Sequence, residues 1–241
     1  PDQYLKFGEQ RFRPAQDLLA RVDLELPRII YDLGCGTGNT TQLLAYRWPQ
    51  SQVTGIDSSP EMLEKARNSC PNLDFKEADL EVWNPGIEAN LIYSNAALHW
   101  LGNHETLIPR LLKMLPRGGR LAVQMPRNFK SPSHTAIRES VESGPWAERI
   151  KPALRSRPVL ECEFYYDLLA NQVEHLELWE TIYTHVLEGE NPVLEWTKGT
   201  ALRPILKLLH SEEETIFIED YSKRIHELYP PRNDGRTLFP F

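Results

Sequence analysis

The first half of the chain alternates between short apolar runs and longer stretches in which apolar residues recur every three or four positions. Short apolar runs are typical of buried strands, and the longer period is that of amphipathic helices. Five strands are predicted in this way, over residues 29–31, 52–57, 73–78, 91–95 and 120–125. Because a helical stretch separates most of these strands, the pattern predicts right-handed crossovers and a parallel sheet in an α/β fold.

The second half of the chain is less regular. Prolines interrupt residues 127–165, which indicates inserted helical segments that form a lid. Alternation over residues 181–187 predicts a sixth strand, with Tyr183 and His185 on one face. Residues 236–241 have the pattern of the beginning of a last strand.

The length and composition are those of one large domain or of one domain with a cap. With 241 residues, of which 41% are hydrophobic, the chain is long enough to bury a full core. We expect a single domain over residues 1–241, with a ligand-binding core and its N-terminal cover in 1–126 and the lid and last strands in 127–241. The 27 Lys and Arg residues are outnumbered by 34 Asp and Glu, and the net charge of −7 disfavours nucleic acid as a partner.

The cysteines and the apolar runs bear on the cellular location. Cys35, Cys70 and Cys162 lack the spacing of a disulfide framework or a metal site, so reduced thiols are the simplest interpretation and no metal is expected. No apolar run has the length of a membrane span, and the N-terminal residues lack a signal-peptide pattern. The sequence therefore predicts a cytoplasmic protein without a membrane partner, and it leaves the oligomeric state open.

A glycine-rich turn joins the first predicted strand to the helix after it. Gly34, Gly36 and Gly38 indicate a sharp turn that a ligand approaches closely, because glycine has no Cβ. The helix that follows the turn then points its free N–H groups at that ligand. The G-x-G-x-G spacing differs from the G-x-G-x-x-G fingerprint of dinucleotide sites, and the acidic Asp32 precedes it. A zwitterion suits both features, and the methionine end of S-adenosylmethionine is such a group.

Polar residues follow three successive predicted strands. Asp57 ends the second strand and is suited to bind the two hydroxyls of a ribose. Asp79 follows the third strand and is suited to accept the exocyclic amine of adenine, while the amide of Leu80 meets a ring nitrogen. Asn95 ends the fourth strand, and ligands of open parallel sheets bind at this edge. Further candidates for the same site are Tyr4, Ser58, Trp100 and Met62, which is equally well interpreted as a buried helix residue.

Together these motifs resemble the class I S-adenosylmethionine-dependent methyltransferases. The glycine-rich turn over 32–38, the acids Asp57 and Asp79, and the segment 95–100 match that family's motifs. The resemblance implies a Rossmann-like α/β fold with a seven-stranded, mostly parallel sheet flanked by helices and covered by a helical lid. It also implies S-adenosyl-L-methionine as cofactor and S-adenosyl-L-homocysteine as product.

Within that class, the chain resembles the bacterial trans-aconitate 2-methyltransferases. The matching stretches are residues 4–7, 11–14, 55–60, 122–126 and 196–204. This resemblance implies an enzyme that forms the monomethyl ester of trans-aconitate or of a closely related tricarboxylate. It also implies a final strand beyond Phe241.

A substrate with three carboxylates needs fixed cations, and the planar fork of arginine suits them best. Arg203 is the main candidate, together with Tyr183, His185 and Trp196. Arg11, Arg13 and Arg127 are weaker candidates, and His99 is expected to shape the wall of the site. Because carboxylates are ionised at neutral pH, no general base is required and no catalytic residue is expected.

Other functions fit the cofactor motifs alone. The chain could methylate a different small acid or a carrier-bound malonyl group, or it could be a noncatalytic cofactor-binding module. A nicotinamide-dependent dehydrogenase fits least well, because its glycine spacing is different.

Overall fold

The computed structural model describes residues 8–154 and 159–241, with side chains described from residue 12 onwards. Tyr4 and the side chain of Arg11 lie outside the described residues. The chain divides into two compact units. The sheet unit consists of Phe12–Pro126 and Pro158–Leu178, and the aromatic unit consists of Pro1–Arg11, Arg127–Arg157 and Trp179–Phe241.

The sheet unit contains a five-stranded, fully parallel sheet with the strand order β3-β2-β1-β4-β5. The chain begins in the middle of this sheet, extends it on one side, and then returns to extend it on the other. The order therefore reverses between β1 and β4, which is where open parallel sheets bind ligands. The strands are β1 Ile29–Leu33, β2 Gln52–Asp57, β3 Asp74–Glu77, β4 Leu91–Asn95 and β5 Arg120–Gln124.

Helices connect the strands and continue through the second half of the chain. They are α1 Gly8–Ala20, α2 Asn39–Arg47, α3 Pro60–Ser69, α4 His104–Leu112, α5 Pro132–Ser143, α6 Ala147–Ile150, α7 Cys162–Leu169, α8 Pro192–Lys198, α9 Arg203–Leu206 and α10 Ser211–Leu228. Within the described residues, none of them is long and apolar enough to cross a membrane.

The start of α3 illustrates how the local sequence sets a boundary close to the site. Ser59 has an extended backbone, and its hydroxyl accepts a hydrogen bond from the N–H of Met62 at 3.3 Å. Pro60 occupies the first helical position, where its missing N–H costs no hydrogen bond. The helix therefore begins three residues after Asp57, which keeps β2 and its terminal carboxylate at the edge of the sheet.

The aromatic unit contains a separate two-stranded antiparallel sheet of β6 Thr184–Leu187 and β7 Thr237–Pro240. The predicted seven-stranded sheet is therefore wrong: five strands form the parallel sheet, and the last two pair with each other. The pairing continues beyond the strands, because Tyr183 and Phe241 exchange backbone hydrogen bonds of 2.8 and 3.0 Å. The backbone groups of Tyr183 thus form hydrogen bonds on the side of β6 that faces β7. The core of the unit is rich in aromatic residues, including Trp146, Trp196, Phe217, Tyr221 and Phe239.

Candidate active site

The parallel register of the sheet unit places the predicted polar residues at one edge. Asp32 lies in β1 opposite Gly55, and Asp57 and Asn95 are the last residues of β2 and β4. Asp79 follows β3 by two residues, and the N–H of Ala78 donates to the carbonyl of Asp57 at 3.0 Å. Strand geometry thus gathers side chains that are far apart in the sequence. We call this edge of the sheet, with Asp32, Asp57, Asp79 and Asn95, the carboxyl edge.

The glycine-rich turn after β1 packs directly against the segment after β4. Gly34, Gly36 and Gly38 have φ values of 72°, 55° and 86°. A Cβ on Gly34 would lie 2.1 Å from the Cβ of Ala97, so a larger residue would push the two segments apart. In contrast, no atom of the described residues lies within 4 Å of the position that a Cβ on Gly36 would take. The turn is therefore closed at Gly34 and open at Gly36.

Asp32 is a buried carboxyl group within this edge. It is 1% exposed, and its Oδ2 accepts a hydrogen bond from the hydroxyl of Thr41 at 2.7 Å. Burial, opposed by the hydrogen bond from Thr41 and assisted by the nearby Asp57, raises the pKa of Asp32 from its ordinary value of 3.8 to about 7. A positive group placed beside Asp32 favours its ionised form, so the site is suited to an amine.

Asp57 ties the end of β2 to the glycine-rich turn. Its Oδ2 accepts from the N–H of Gly36 and its Oδ1 from the N–H of Ser59, both at 2.9 Å. Each carboxylate oxygen has a further lone pair, so the group retains capacity for ribose hydroxyls. The N–H groups of Gly34 and Cys35 donate to the carbonyl of Ile56 at 2.7 and 3.0 Å.

Three amides of the turn therefore already donate hydrogen bonds to β2. The amides suited to a ligand are those at the start of α2, whose N-cap Gly38 has no side chain to cap them. Cys35 is buried in the same turn, and burial raises the pKa of its thiol above the ordinary value. The thiol therefore stays protonated, as expected for a packed residue.

The segment after β4 combines strain with a buried polar atom. Ala96 has a φ of 52°, although it is not a glycine, and its N–H donates to the carbonyl of Gln124 at 3.0 Å. The Oδ1 of Asn95 is buried and has no hydrogen-bond partner among the residues that the structure describes. Such strain and unmet bonding capacity are typical of functional sites.

The other candidates of the carboxyl edge differ in exposure. His99 is buried, with its ring 4.8 Å from that of Trp100, which is 50% exposed. Met62 is half-buried at the start of α3, and Ser58 is exposed beside it. Asp79 is exposed while Leu80 is buried, so the acid at the end of β3 faces outwards and its neighbour packs in the core.

In the aromatic unit, Tyr183, His185 and Trp196 belong to a ring cluster that also contains Phe239 and Phe241. Tyr183 and His185 are stacked with ring centroids 6.5 Å apart, which agrees with their predicted common face, and His185 stacks on Trp196 at 4.7 Å. Trp196 is 1% exposed. Its position is therefore that of a support for His185, and its contact with a substrate stays a prediction.

The predicted arginines have different surroundings. Arg203, at the start of α9, is exposed and forms no ion pair within the described part of the chain. Arg127 pairs with Glu180 at 2.5 Å, and Arg13 lies 3.9 Å from Asp17. Of these three arginines, Arg203 is thus the one whose charge is not matched by a neighbouring carboxylate.

Comparison with known proteins identifies the family. A model described as "Methyltransferase domain" matches residues 30–119. A trans-aconitate 2-methyltransferase from Azoarcus sp. (strain BH72) is 48% identical and aligns over 99% of this chain and 94% of its own. Proteins of the same name from Methylobacterium radiotolerans and Agrobacterium fabrum are 46% and 43% identical over 100% and 99% of this chain and 94% of their own. The chain belongs to the trans-aconitate 2-methyltransferase family.

Solved structures agree on the fold. The YcgJ protein of Bacillus subtilis has a TM-score of 0.58 at 14% identity and covers 95% of this chain, with 94% of its own chain aligned. A protein from Bacillus halodurans has a TM-score of 0.58 at 15% identity, over 94% of both chains. The predicted Rossmann-like class I methyltransferase fold is confirmed, apart from the strand count.

Membership of the trans-aconitate 2-methyltransferase family confirms the expected enzyme class and the S-adenosylmethionine cofactor. The residues of the carboxyl edge fit that cofactor. Asp32 offers a buried carboxyl group for an amine. In the part of the chain that the structure describes, Asn95 has a buried oxygen without a hydrogen-bond partner, and the turn has open space beside Gly36. Among the described residues, no group of three or more His, Cys, Asp and Glu side chains is arranged to hold a metal ion.

Two residues of α4 that bind the segments after β3 and β4 were not predicted from the sequence. The Nε2 of buried His104 lies 3.0 Å from the carbonyl of Leu98, and its Nδ1 lies 2.7 Å from the hydroxyl of Tyr165. Since a carbonyl can only accept, Nε2 carries the proton and Nδ1 accepts from Tyr165. The second missed residue, Arg110, donates to the carbonyl oxygens of Leu80 and Trp83. Neither residue belongs to a short motif, so its partners could be found only in the fold.

Proposed function

We propose that this protein is an S-adenosylmethionine-dependent methyltransferase that forms the monomethyl ester of trans-aconitate or of a closely related tricarboxylate. The observation that carries the proposal is the identity of 43–48% with trans-aconitate 2-methyltransferases across nearly the whole chain. The partner is a small molecule, and the proposed reaction involves neither nucleic acid nor a membrane. The cytoplasm is the proposed place of action.

The carboxyl edge has a proposed contact for each part of the cofactor. Asp32 takes the amine of the methionine end, and its burial supports this role because a cation relieves the cost of ionising it. Asp57 takes the ribose hydroxyls, and Asp79 with the amide of Leu80 takes the adenine. The remaining proposed contacts are Gly34, Gly36, Gly38, Ser58, Met62, Asn95, Trp100 and Tyr4.

The proposed reaction needs orientation rather than acid–base catalysis. The cofactor supplies a methyl group on a sulfonium, and the accepting carboxylate is already ionised at neutral pH, with an ordinary pKa of about 4. The residues of the chain have to hold a carboxylate oxygen in line with that methyl group, roughly 3 to 3.5 Å away. Since the negative and positive charges both disappear as the methyl moves, exclusion of water favours the reaction.

Recognition of the carboxylates that do not react is assigned to Arg203. Its guanidinium is exposed and lacks an ion pair within the described residues, so its two-pronged donor face is available. Tyr183 and His185, both half-buried, offer polar tips beside their stacked rings. Arg11 and His99 are kept as weaker candidates for substrate contacts.

The proposal is tested by incubating the protein with cofactor labelled in the transferred methyl group and with a panel of acids. The panel contains trans-aconitate, cis-aconitate, citrate, two dicarboxylates and a malonyl thioester. We expect label in a base-labile methyl ester, with the highest kcat/KM for trans-aconitate. A higher kcat/KM for the malonyl thioester or for a dicarboxylate would replace the substrate, and binding of cofactor without transfer to any acid would make the protein a noncatalytic module.

A further inference from the structure

The loop after β3, residues 79–83, is a single compact turn that we call the β3 loop. The carbonyl of Asp79 accepts from the N–H groups of Val82 and Trp83 at 3.2 and 2.8 Å. Its side-chain Oδ1 accepts from the N–H of Glu81 at 2.9 Å. Leu80 and Trp83 are buried in the core, whereas Asp79 is exposed. The position of Asp79 is therefore fixed by the hydrogen bonds within the loop and by the buried residues that follow it.

Arg110 of α4 binds two backbone carbonyl groups of the same loop. Its Nη2 donates to the carbonyl of Leu80 at 2.6 Å, and its Nη1 donates to the carbonyl of Trp83. Leu107, Ile108 and Leu111 of α4 belong to the same hydrophobic core cluster as Leu80 and Trp83. One helix therefore contributes both to the core that receives the side chains of the loop and to the binding of its backbone carbonyls.

We propose that Arg110 is a positioning residue for adenine recognition. It touches the β3 loop and not the base, and it acts by fixing the peptide groups around Leu80 so that the Asp79 carboxylate and the Leu80 amide present one acceptor and one donor side by side. This pair matches the exocyclic amine and the adjacent ring nitrogen of adenine. The inference rests on the proposed function, in which Asp79 and Leu80 contact adenine.

The geometry requires arginine in particular. Two carbonyl oxygens three residues apart are bound by two N–H groups of one planar fork, and both hydrogen bonds are strengthened by the charge. Lysine has one compact ammonium group, which cannot reproduce a flat two-pronged contact. Replacement by lysine thus keeps the charge of Arg110 and frees at least one end of the β3 loop.

The sheet unit also contains a matched control. Arg47 donates through Nη1 and Nη2 to the carbonyl oxygens of Leu19 and Val22, which are also three residues apart. This second fork closes the end of α1, whereas the fork of Arg110 holds the β3 loop. Arg47→Lys removes the same kind of contact and therefore measures the general cost of losing it.

The experiment measures dissociation constants by calorimetry for wild type, Arg110→Lys, Arg110→Gln and Arg47→Lys. The probes are S-adenosylhomocysteine and S-inosylhomocysteine, whose hypoxanthine reverses both polar contacts because it has a carbonyl and a ring N–H. We expect wild type and Arg47→Lys to prefer the adenine compound by the same ratio. Both Arg110 variants should lower that ratio by about tenfold, the size of one charge-assisted hydrogen bond.

The outcomes separate this inference from the proposed function. Folding of each variant is checked by circular dichroism and thermal unfolding, and the conclusion is drawn from whichever Arg110 variant is folded. Equal loss of affinity for both probes, or an unchanged ratio, would show that Arg110 has a structural role alone. Wild type that does not bind S-adenosylhomocysteine would overturn the proposed function itself, and wild type without a preference would overturn the adenine assignment together with the inference.

Discussion

At the carboxyl edge of the sheet unit, polar side chains are fixed largely by backbone groups, whereas in the ring cluster of the aromatic unit they are fixed by other side chains. Asp57 is bound by the N–H groups of Gly36 and Ser59. His185 stacks against the rings of Tyr183 and Trp196. The first arrangement depends on turn geometry, and the second depends on the volume and shape of aromatic residues.

This difference leads to different responses to substitution. A change at the carboxyl edge should affect cofactor binding strongly, because each turn there orients several polar groups at once. A change in the ring cluster should act first on the free energy of unfolding and only through it on substrate binding, because the rings form part of the core. The substitutions below test this contrast from the largest expected effect to the smallest.

Trp196→Ala is expected to have the largest effect. The side chain is 1% exposed and contacts the rings of His185, Phe239 and Phe241. Removing a buried aromatic side chain lowers the free energy of unfolding by about 3 to 5 kcal/mol, because a cavity remains. Urea unfolding measures the change, and Trp179→Ala, at a tryptophan that is 37% exposed in the same unit, is the control. Equal losses in the two variants would refute the role of Trp196 as the support of the cluster.

Gly34→Ala should have the next largest effect, on the opposite side of the comparison. The new Cβ would meet that of Ala97 at 2.1 Å, and the φ of 72° is unfavourable for alanine. Together, overpacking and backbone strain should cost roughly 2 to 5 kcal/mol and weaken cofactor binding. Gly86→Ala is the matched control, since its φ is 71° and no described atom lies within 4 Å of its Cβ position. If Gly86→Ala is as harmful as Gly34→Ala, the close approach to Ala97 is irrelevant.

The smallest predicted effect concerns the pH dependence caused by Asp32. Its folded pKa of about 7 lies above the ordinary 3.8, so the protein without cofactor keeps this proton between those values. The contribution of Asp32 to the free energy of unfolding is therefore present at low pH and is lost as the pH rises towards about 7. Cofactor binding has the opposite dependence, because the proposed amine contact needs the ionised carboxylate. Affinity should thus be about tenfold weaker at pH 6 than at pH 7.5 to 8.

Calorimetry of S-adenosylhomocysteine binding between pH 5.5 and 8 measures this dependence, with Asp32→Asn as the comparison. Asparagine keeps a polar partner for Thr41 and carries no titrating group. We expect the variant to bind more weakly at pH 7.5 with almost no pH dependence, and to be more stable than wild type when cofactor is absent. A wild-type affinity that stays constant over this range would argue against an amine contact at Asp32.

Sequence reasoning predicted the carboxyl edge well because its chemistry is local. The positions of Asp57, Asp79 and Asn95 follow from where strands end, and the glycine-rich turn carries its own spacing signal. The stacked face of Tyr183 and His185 was also predicted, since alternation is a property of a single strand. Local patterns were therefore sufficient wherever a residue's role depends on its own element.

Contacts between residues far apart in the chain could not be predicted from the sequence. The partner of β6 is β7, which lies about fifty residues later in the chain, and periodicity carries no information on which strand an edge will pair with. The same holds for His104 and Arg110, whose partners Leu98, Tyr165, Leu80 and Trp83 come from other segments. No sequence pattern indicated that Ile56 and Asp57 accept hydrogen bonds from three amides of the glycine-rich turn.

The central claim is that the carboxyl edge binds the cofactor and that Arg203 recognises the carboxylates of the substrate. It is tested most directly by measuring both the dissociation constant of S-adenosylhomocysteine and the KM for trans-aconitate in Asp57→Ala and Arg203→Lys, with Asp74→Ala, an exposed acid at the other end of β3, as control. Asp57→Ala should weaken cofactor binding by roughly 1.5 to 3 kcal/mol. Arg203→Lys should leave that binding unchanged and lower kcat/KM for trans-aconitate about fivefold to more than a hundredfold, mainly through KM. Unaltered kcat/KM in a folded Arg203→Lys protein, or weakened cofactor binding in that variant, would contradict the account.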